Sequence, residues 1–258
     1  MIRDIVVNLP IDSNRTAAAD YAISVAQAFC AHVAGIAFAY DARTCAVEAA
    51  EAAVARFEAA TKRSGLSASC QTFPASFVGA ADLFGRIARR FDLSIVGQTE
   101  PGDAVPDDLI IESALFDSGR PVIVVPYIQK QGLKLDRVLV GWDGGRNAAR
   151  AIADSLPFLN RAKVIDIVTV TTGRSKSDEV PGADIAHHLA RHGVRVEIQK
   201  LVAPDVDVPN AILSYAADTS ADFLVMGGYG HSRLREFVLG GATRGILTSM
   251  TIPVLMSH

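Results

Sequence analysis

The chain alternates between two kinds of apolar pattern. In its second half RVLVGWD (Arg137 to Asp143) opens with a short run rich in β-branched residues that predicts a strand, and Asn147 to Asn160 places apolar residues at helical spacing. KVIDIVTV predicts a buried strand and is followed by a loop rich in Gly, Ser and Lys. A helix is then expected over Ala183 to His192, a strand with clean alternation in VRVEIQKL, and a helix from about Asn210 to Thr219. The continuously apolar DFLVMG, a glycine-rich stretch and a terminal PVLM strand complete the half. Strands that are apolar throughout, separated by helical segments, predict a parallel sheet with both faces covered by crossover helices.

The same order occurs twice. DIVVNLP near the N-terminus corresponds to RVLVGWD, FDLSIVGQ (Phe91 to Gln98) to ADFLVMGG (Ala221 to Gly228), and RPVIVVPY (Arg120 to Tyr127) to TIPVLMSH (Thr251 to His258). The offset between partners stays at about 130 to 133 residues, which is what a tandem duplication leaves. The expected architecture is α/β: two tandem Rossmann-like doubly wound domains, each with a mostly parallel five-stranded sheet. Their expected ranges are 1–127 and 137–258, joined by the polar, glycine-containing linker 128–136.

Composition narrows the function classes. The chain has 258 residues, half of them apolar, ample for a packed core and suited by length to either one large domain or two small ones. A net charge of -3 without a basic run argues against a nucleic-acid partner. Neither a signal-peptide pattern nor an apolar run of ~18 residues is evident, so a cytoplasmic protein without a membrane partner is expected. Cys30, Cys45 and Cys70 have no C-x-x-C spacing and read as reduced thiols.

Candidate chemistry falls in the loops after the first and fourth strands of the second half, where a doubly wound sheet binds its ligands. The first carries GWDGGRN and the second GGYGHSRLREFVLGGATRG (Gly227 to Gly245). Glycines here let backbone N–H groups approach an anion, and Gly240 and Gly241 precede a fresh helix whose free N–H groups favour phosphate. Tight turns and close helix packing are the competing reading of the same glycines.

The spacing Gly227-x2-Gly230-x9-Gly240, with DFLVMG before it and a helix and PVLM after it, resembles the nucleotide-binding signature of the universal stress proteins. With VGWDGGRNAARAI the likeness spans the second half, and the first half resembles a diverged copy. The resemblance implies a dimeric or tandem protein that binds ATP, or the related ADP or AMP, as a regulatory switch, with Mg or Mn accompanying the phosphates. Carried over residue by residue, it assigns Asp143 to the nucleoside, Val170 to the adenine and Gly227 to the ribose. Gly230, Gly240, Gly241 and the helix start at Ala242 would hold the phosphates, with Thr243 as a hydroxyl donor. The family has Ser or Thr where this chain has Gly241, a departure that weakens or redirects binding by the loss of one bond to a charged group, on the order of 1.5 to 3 kcal/mol.

The first half departs further. Pro10 stands at the position of Asp143, Glu100 follows Gly97 where the second half has Gly230, and the third glycine is missing. This half is read as a degenerate partner completing an intramolecular pseudo-dimer, with a homodimer left open. His187, His188 and His192 lack an evident third ligand and read as surface residues, Trp142 reads as packing, and His231, Arg233 and Arg244 are minor phosphate candidates. No nucleophile is proposed. The chain lacks both the Ser-Gly-Gly-x-Asp-Ser loop and the Gly-Lys-[Ser/Thr] of a P-loop, so at most slow ATP hydrolysis is expected. The alternative is a non-enzymatic module that binds a partner or small ligand and keeps a vestigial nucleotide cleft.

Overall fold

A computed structural model describes residues 1–40, 44–100, 107–171, 182–202, 207–228 and 241–258. The chain divides into two compact units, Met1–Leu133 and Lys134–His258.

The first unit runs β1 (Asp4–Leu9), α1 (Ala17–Phe29), β2 (His32–Tyr40), α2 (Thr44–Arg63), β3 (Ala68–Ala75), α3 (Phe77–Ala88), β4 (Leu93–Gly97), α4 (Asp108–Phe116) and β5 (Val122–Val125). Its strands are parallel in the order β3-β2-β1-β4-β5. The second unit repeats this with β6 (Arg137–Gly141), α5 (Arg146–Leu159), β7 (Val164–Thr171), α6 (Ala183–Arg191), β8 (Glu197–Val202), α7 (Val208–Asp218), β9 (Phe223–Gly227), α8 (Gly241–Ser249) and β10 (Val254–Ser257). The order is β8-β7-β6-β9-β10, again parallel. Equivalent registers carry the duplication: Ile5 pairs with Leu93, and Val138 with Phe223.

Burial follows the apolar pattern. The central strands β1, β4 and β9 are covered on both faces, whereas the edge strands β3 and β8 consist of half-buried and exposed positions only. In the second unit Phe158 of α5 stacks on Phe223 of β9 with ring centroids 5.4 Å apart, and both side chains are fully buried.

The structure differs from the sequence reading at two element boundaries. Strand β8 begins at Glu197 rather than Val194, because Gly193 turns left-handed (φ +78°) and Val194 N–H donates back to Leu189 O, ending α6. Helix α7 begins before Asn210: Asp207 caps it by accepting from Asn210 N–H at 3.0 Å, with Pro209 in the first turn. In the stretch read as a linker, Leu133 N–H donates to Ser24 Oγ of α1 at 2.7 Å, while Asp136 N–H donates to Asp222 of the second unit at 3.0 Å.

Candidate functional site

The site is built at the carboxyl edge of the second unit's sheet, where β6 lies between β7 and β9 and successive crossovers leave in opposite directions. Strand β6 stops at Gly141, and Trp142, half-buried, keeps one more bond by donating to Val168 O at 2.9 Å. Asp143 is exposed. Its Oδ1 accepts from Gly145 N–H at 2.7 Å, an Asx turn made by way of Gly144 at φ +75°, and leads the chain into α5. Oδ2 has no partner among the described residues. Val170 is half-buried near the end of β7.

Helix α5 is tied to the loop after β9. Asn147 is 5% exposed and its Nδ2 donates to Gly228 O at 2.5 Å, while Gly228 N–H donates to Ser257 O at 2.9 Å. Gly227 sits directly under the start of α5: a Cβ there would lie 2.5 Å from Ala148 N. This position requires glycine for packing alone.

Helix α8 leads from this edge toward β10. Gly241 and Ala242, its first two residues, are exposed, and a Cβ at Gly241 would meet nothing within 4 Å. Thr243 is 2% exposed, so its side chain belongs to the packed side of the helix. Gly245 lets α8 approach α7 closely, since a Cβ would lie 2.6 Å from Pro209 Cγ. Gly230, His231, Arg233 and Gly240 lie outside the described residues.

The carboxyl edge thus gathers Asp143, Val170, Gly227, Gly241, Ala242 and Thr243. It also gathers residues the sequence reading did not single out. Asn147 is one, and Arg146 with His258 is another. Burial first and the Arg146 cation second hold the His258 imidazole below its usual range. The signal for Asn147 was its place at the head of the first helix, where side chains reach the neighbouring strand loop. The histidines on α6 are elsewhere: His188 and His192 have ring centroids 4.7 Å apart, and among the described residues they join no group of three metal-ligating side chains.

Residues 134–258 match the family model described as the universal stress protein family. This half of the chain belongs to that family. Universal stress protein Slr1230 of Synechocystis is 30% identical over 142 residues, covering 53% of this chain and 46% of that protein. The chain therefore spans about half the length of this curated relative. A universal stress protein from Archaeoglobus fulgidus has a TM-score of 0.74 at 15% identity, covering 98% of this chain and 97% of that one. A Pseudomonas aeruginosa protein of unknown function has a TM-score of 0.66 at 17% identity, covering 99% of this chain and 92% of that one. At such identities the likeness is one of fold.

The corresponding crevice of the first unit is chemically different from that of the universal stress protein unit. Arg15 Nη2 donates to Asp107 Oδ2 at 2.9 Å and to Gln98 O at 3.1 Å, and Asn8 Nδ2 donates to Asp107 Oδ1 at 3.1 Å. A Cβ on Gly97, the counterpart of Gly227, would come within 3.8 Å of Asp107 Oδ2 and 4.0 Å of Arg15 Nη2. Burial, and next the Asp107 carboxylate, push the Tyr40 phenol up. An internal ion pair occupies the first unit's crevice.

Proposed function

We propose that the universal stress protein unit binds an adenine nucleotide, ATP or the related ADP or AMP, as a regulatory switch in a stress response. One observation carries this reading. Asp143 just after β6, Val170 of β7, Gly227 at the end of β9 and the exposed Gly241 and Ala242 of α8 stand together at the carboxyl edge of a single parallel sheet, about its switch point between β6 and β9. The residues fit such a ligand. An exposed carboxylate with an oxygen that has no partner among the described residues accepts hydroxyl or amine hydrogens, and the half-buried Val170 offers an apolar contact to a base.

The N–H groups at Gly241 and Ala242 suit a phosphate, because the first N–H groups of a helix have no intrahelical partner. Thr243 is a poor substitute for the missing family hydroxyl because it is buried. Phosphate contact therefore falls to main-chain groups, and Mg or Mn would arrive as the counter-ion of the phosphates.

A second reading has its own support. Asp143 Oδ1 is used within its loop, and Gly227 has a packing reason, so both would persist in a module whose cleft is vestigial and whose work is done on a partner.

The deciding experiment identifies any nucleotide released on denaturing freshly purified protein, then titrates ATP with magnesium calorimetrically into wild type and Asp143→Ala. The expected outcome is saturable binding that Asp143→Ala weakens about tenfold or more. Absence of both release and binding at millimolar ATP would leave the partner-binding reading.

A further inference from the structure

One cavity of the first unit lies away from the strand ends. It is a groove of about 340 Å³ between α1 and α2. Gly35 of β2 creates its floor. A Cβ there would lie 2.8 Å from both Leu9 Cδ1 and Phe57 Cδ1, so the missing side chain lets Leu9 and Phe57 settle onto the sheet. Both are 3% exposed. Ile23 and Ala53 complete the apolar base, and the helix sides that face each other above it carry the small residues Ala19 and Ala60. The space above the floor is left unfilled.

The two walls carry opposite charge. On α2, Arg56 and Arg63 lie seven residues apart, hence on one face and roughly 10 Å apart along the axis. Facing them are Asp20 in the first turn of α1 and Asp12 just before it. Asp12 is engaged with Asn14 N–H at 2.9 Å, and the third arginine of the groove, Arg15, is committed to Asp107. Asp20, Arg56 and Arg63 have no ion-pair partner among the described residues. The walls thus present unneutralised charges of opposite sign across an apolar floor.

From this juxtaposition we infer that the α1–α2 groove binds a small zwitterion with an apolar side group, of the size of an aromatic amino acid. The side group lies on Phe57 and Ile23, the carboxylate meets Arg56 or Arg63, and the ammonium meets Asp20. Such a ligand satisfies both walls at once, which neither a simple anion nor a simple cation does, and the volume is in the range of small-molecule sites.

The test is calorimetric titration of the full chain with L-phenylalanine, N-acetyl-L-phenylalanine and L-phenylalaninamide. Saturable binding of phenylalanine at one site is expected, with each blocked derivative weaker by about tenfold. Ala53→Trp should abolish binding by filling the groove. Asp20→Asn and Arg56→Gln, both at exposed positions, keep the fold and should erase the preference for the free ammonium and the free carboxylate respectively. No saturation by about 10 mM phenylalanine, or equal affinity for the N-acetyl derivative, overturns the inference. So does binding that survives Ala53→Trp in a protein of unchanged far-UV spectrum.

Discussion

Arg15 and Asp107 form an ion pair 2.9 Å long in the crevice of the first unit, with the two side chains only 16% and 7% exposed. Asp107 sits at the N-cap of α4 but does not cap it; its carboxylate reaches Arg15 and Asn8 instead. Removing one partner leaves the other charge poorly solvated. Asp107→Ala should therefore lower the stability of the first unit by about 3 kcal/mol. The measurement is hydrogen exchange, with protection lost across β1 and α4. Unchanged protection would mean that water replaces the pair freely.

The glycines around the candidate site separate into two classes. Gly227→Ala places a Cβ 2.5 Å from backbone in α5 and should cost about 1 to 3 kcal/mol. Gly241→Ala meets nothing within 4 Å at a helix start and should be neutral or stabilising by about 0.5 to 1 kcal/mol. Trp142, the single tryptophan, lies in the second unit, so denaturation followed by its fluorescence reads both variants.

If the α8 N-terminus receives phosphate, Gly241→Ser should strengthen it. The position is exposed and open, so the hydroxyl enters without displacing anything. Titration with magnesium and ATP should show affinity raised about tenfold, the equivalent of one added hydrogen bond to a charged group. Unchanged affinity would place the phosphates elsewhere.

The thiols should differ in reactivity. Burial first, and then the neighbouring Glu58 carboxylate, push Cys70 up to about 11, whereas Cys30 and Cys45 are exposed. At pH 8 Cys70 holds little thiolate, and the thiolate is the nucleophile. Mass-spectrometric footprinting with iodoacetamide should label Cys30 and Cys45 well before Cys70. Equal labelling would show that β3 opens readily.

Acid should destabilise the second unit through His258. Its folded pKa is depressed, so the unfolded chain takes up the proton first as pH falls through the ordinary value of 6.5. The stability contributed by the neutral imidazole is present above that value and is lost on acidification toward the lower folded pKa. His258→Gln should flatten this part of the stability profile, measured by denaturant titration from pH 7.5 downward. An identical slope in the variant would assign the effect to other groups.

The sequence by itself determined the doubled α/β architecture, because both signals are local: uninterrupted apolar runs such as Phe223–Gly227 and apolar helical periodicity such as Ala148, Ala151, Ile152 and Leu159. It also marked Asp143 and the glycine stretch at the strand ends. Tertiary structure alone decided what stands opposite them. Arg15 and Asp107 are 92 residues apart, Asn8 and Asp107 are 99, and Asn147 and Gly228 are 81. Parallel crossovers bring such residues to one edge, and no period of 2.0 or 3.6 residues records which of them will meet. The same holds for Gly227 and Gly35, whose missing side chains matter only because α5, Leu9 and Phe57 are packed against them.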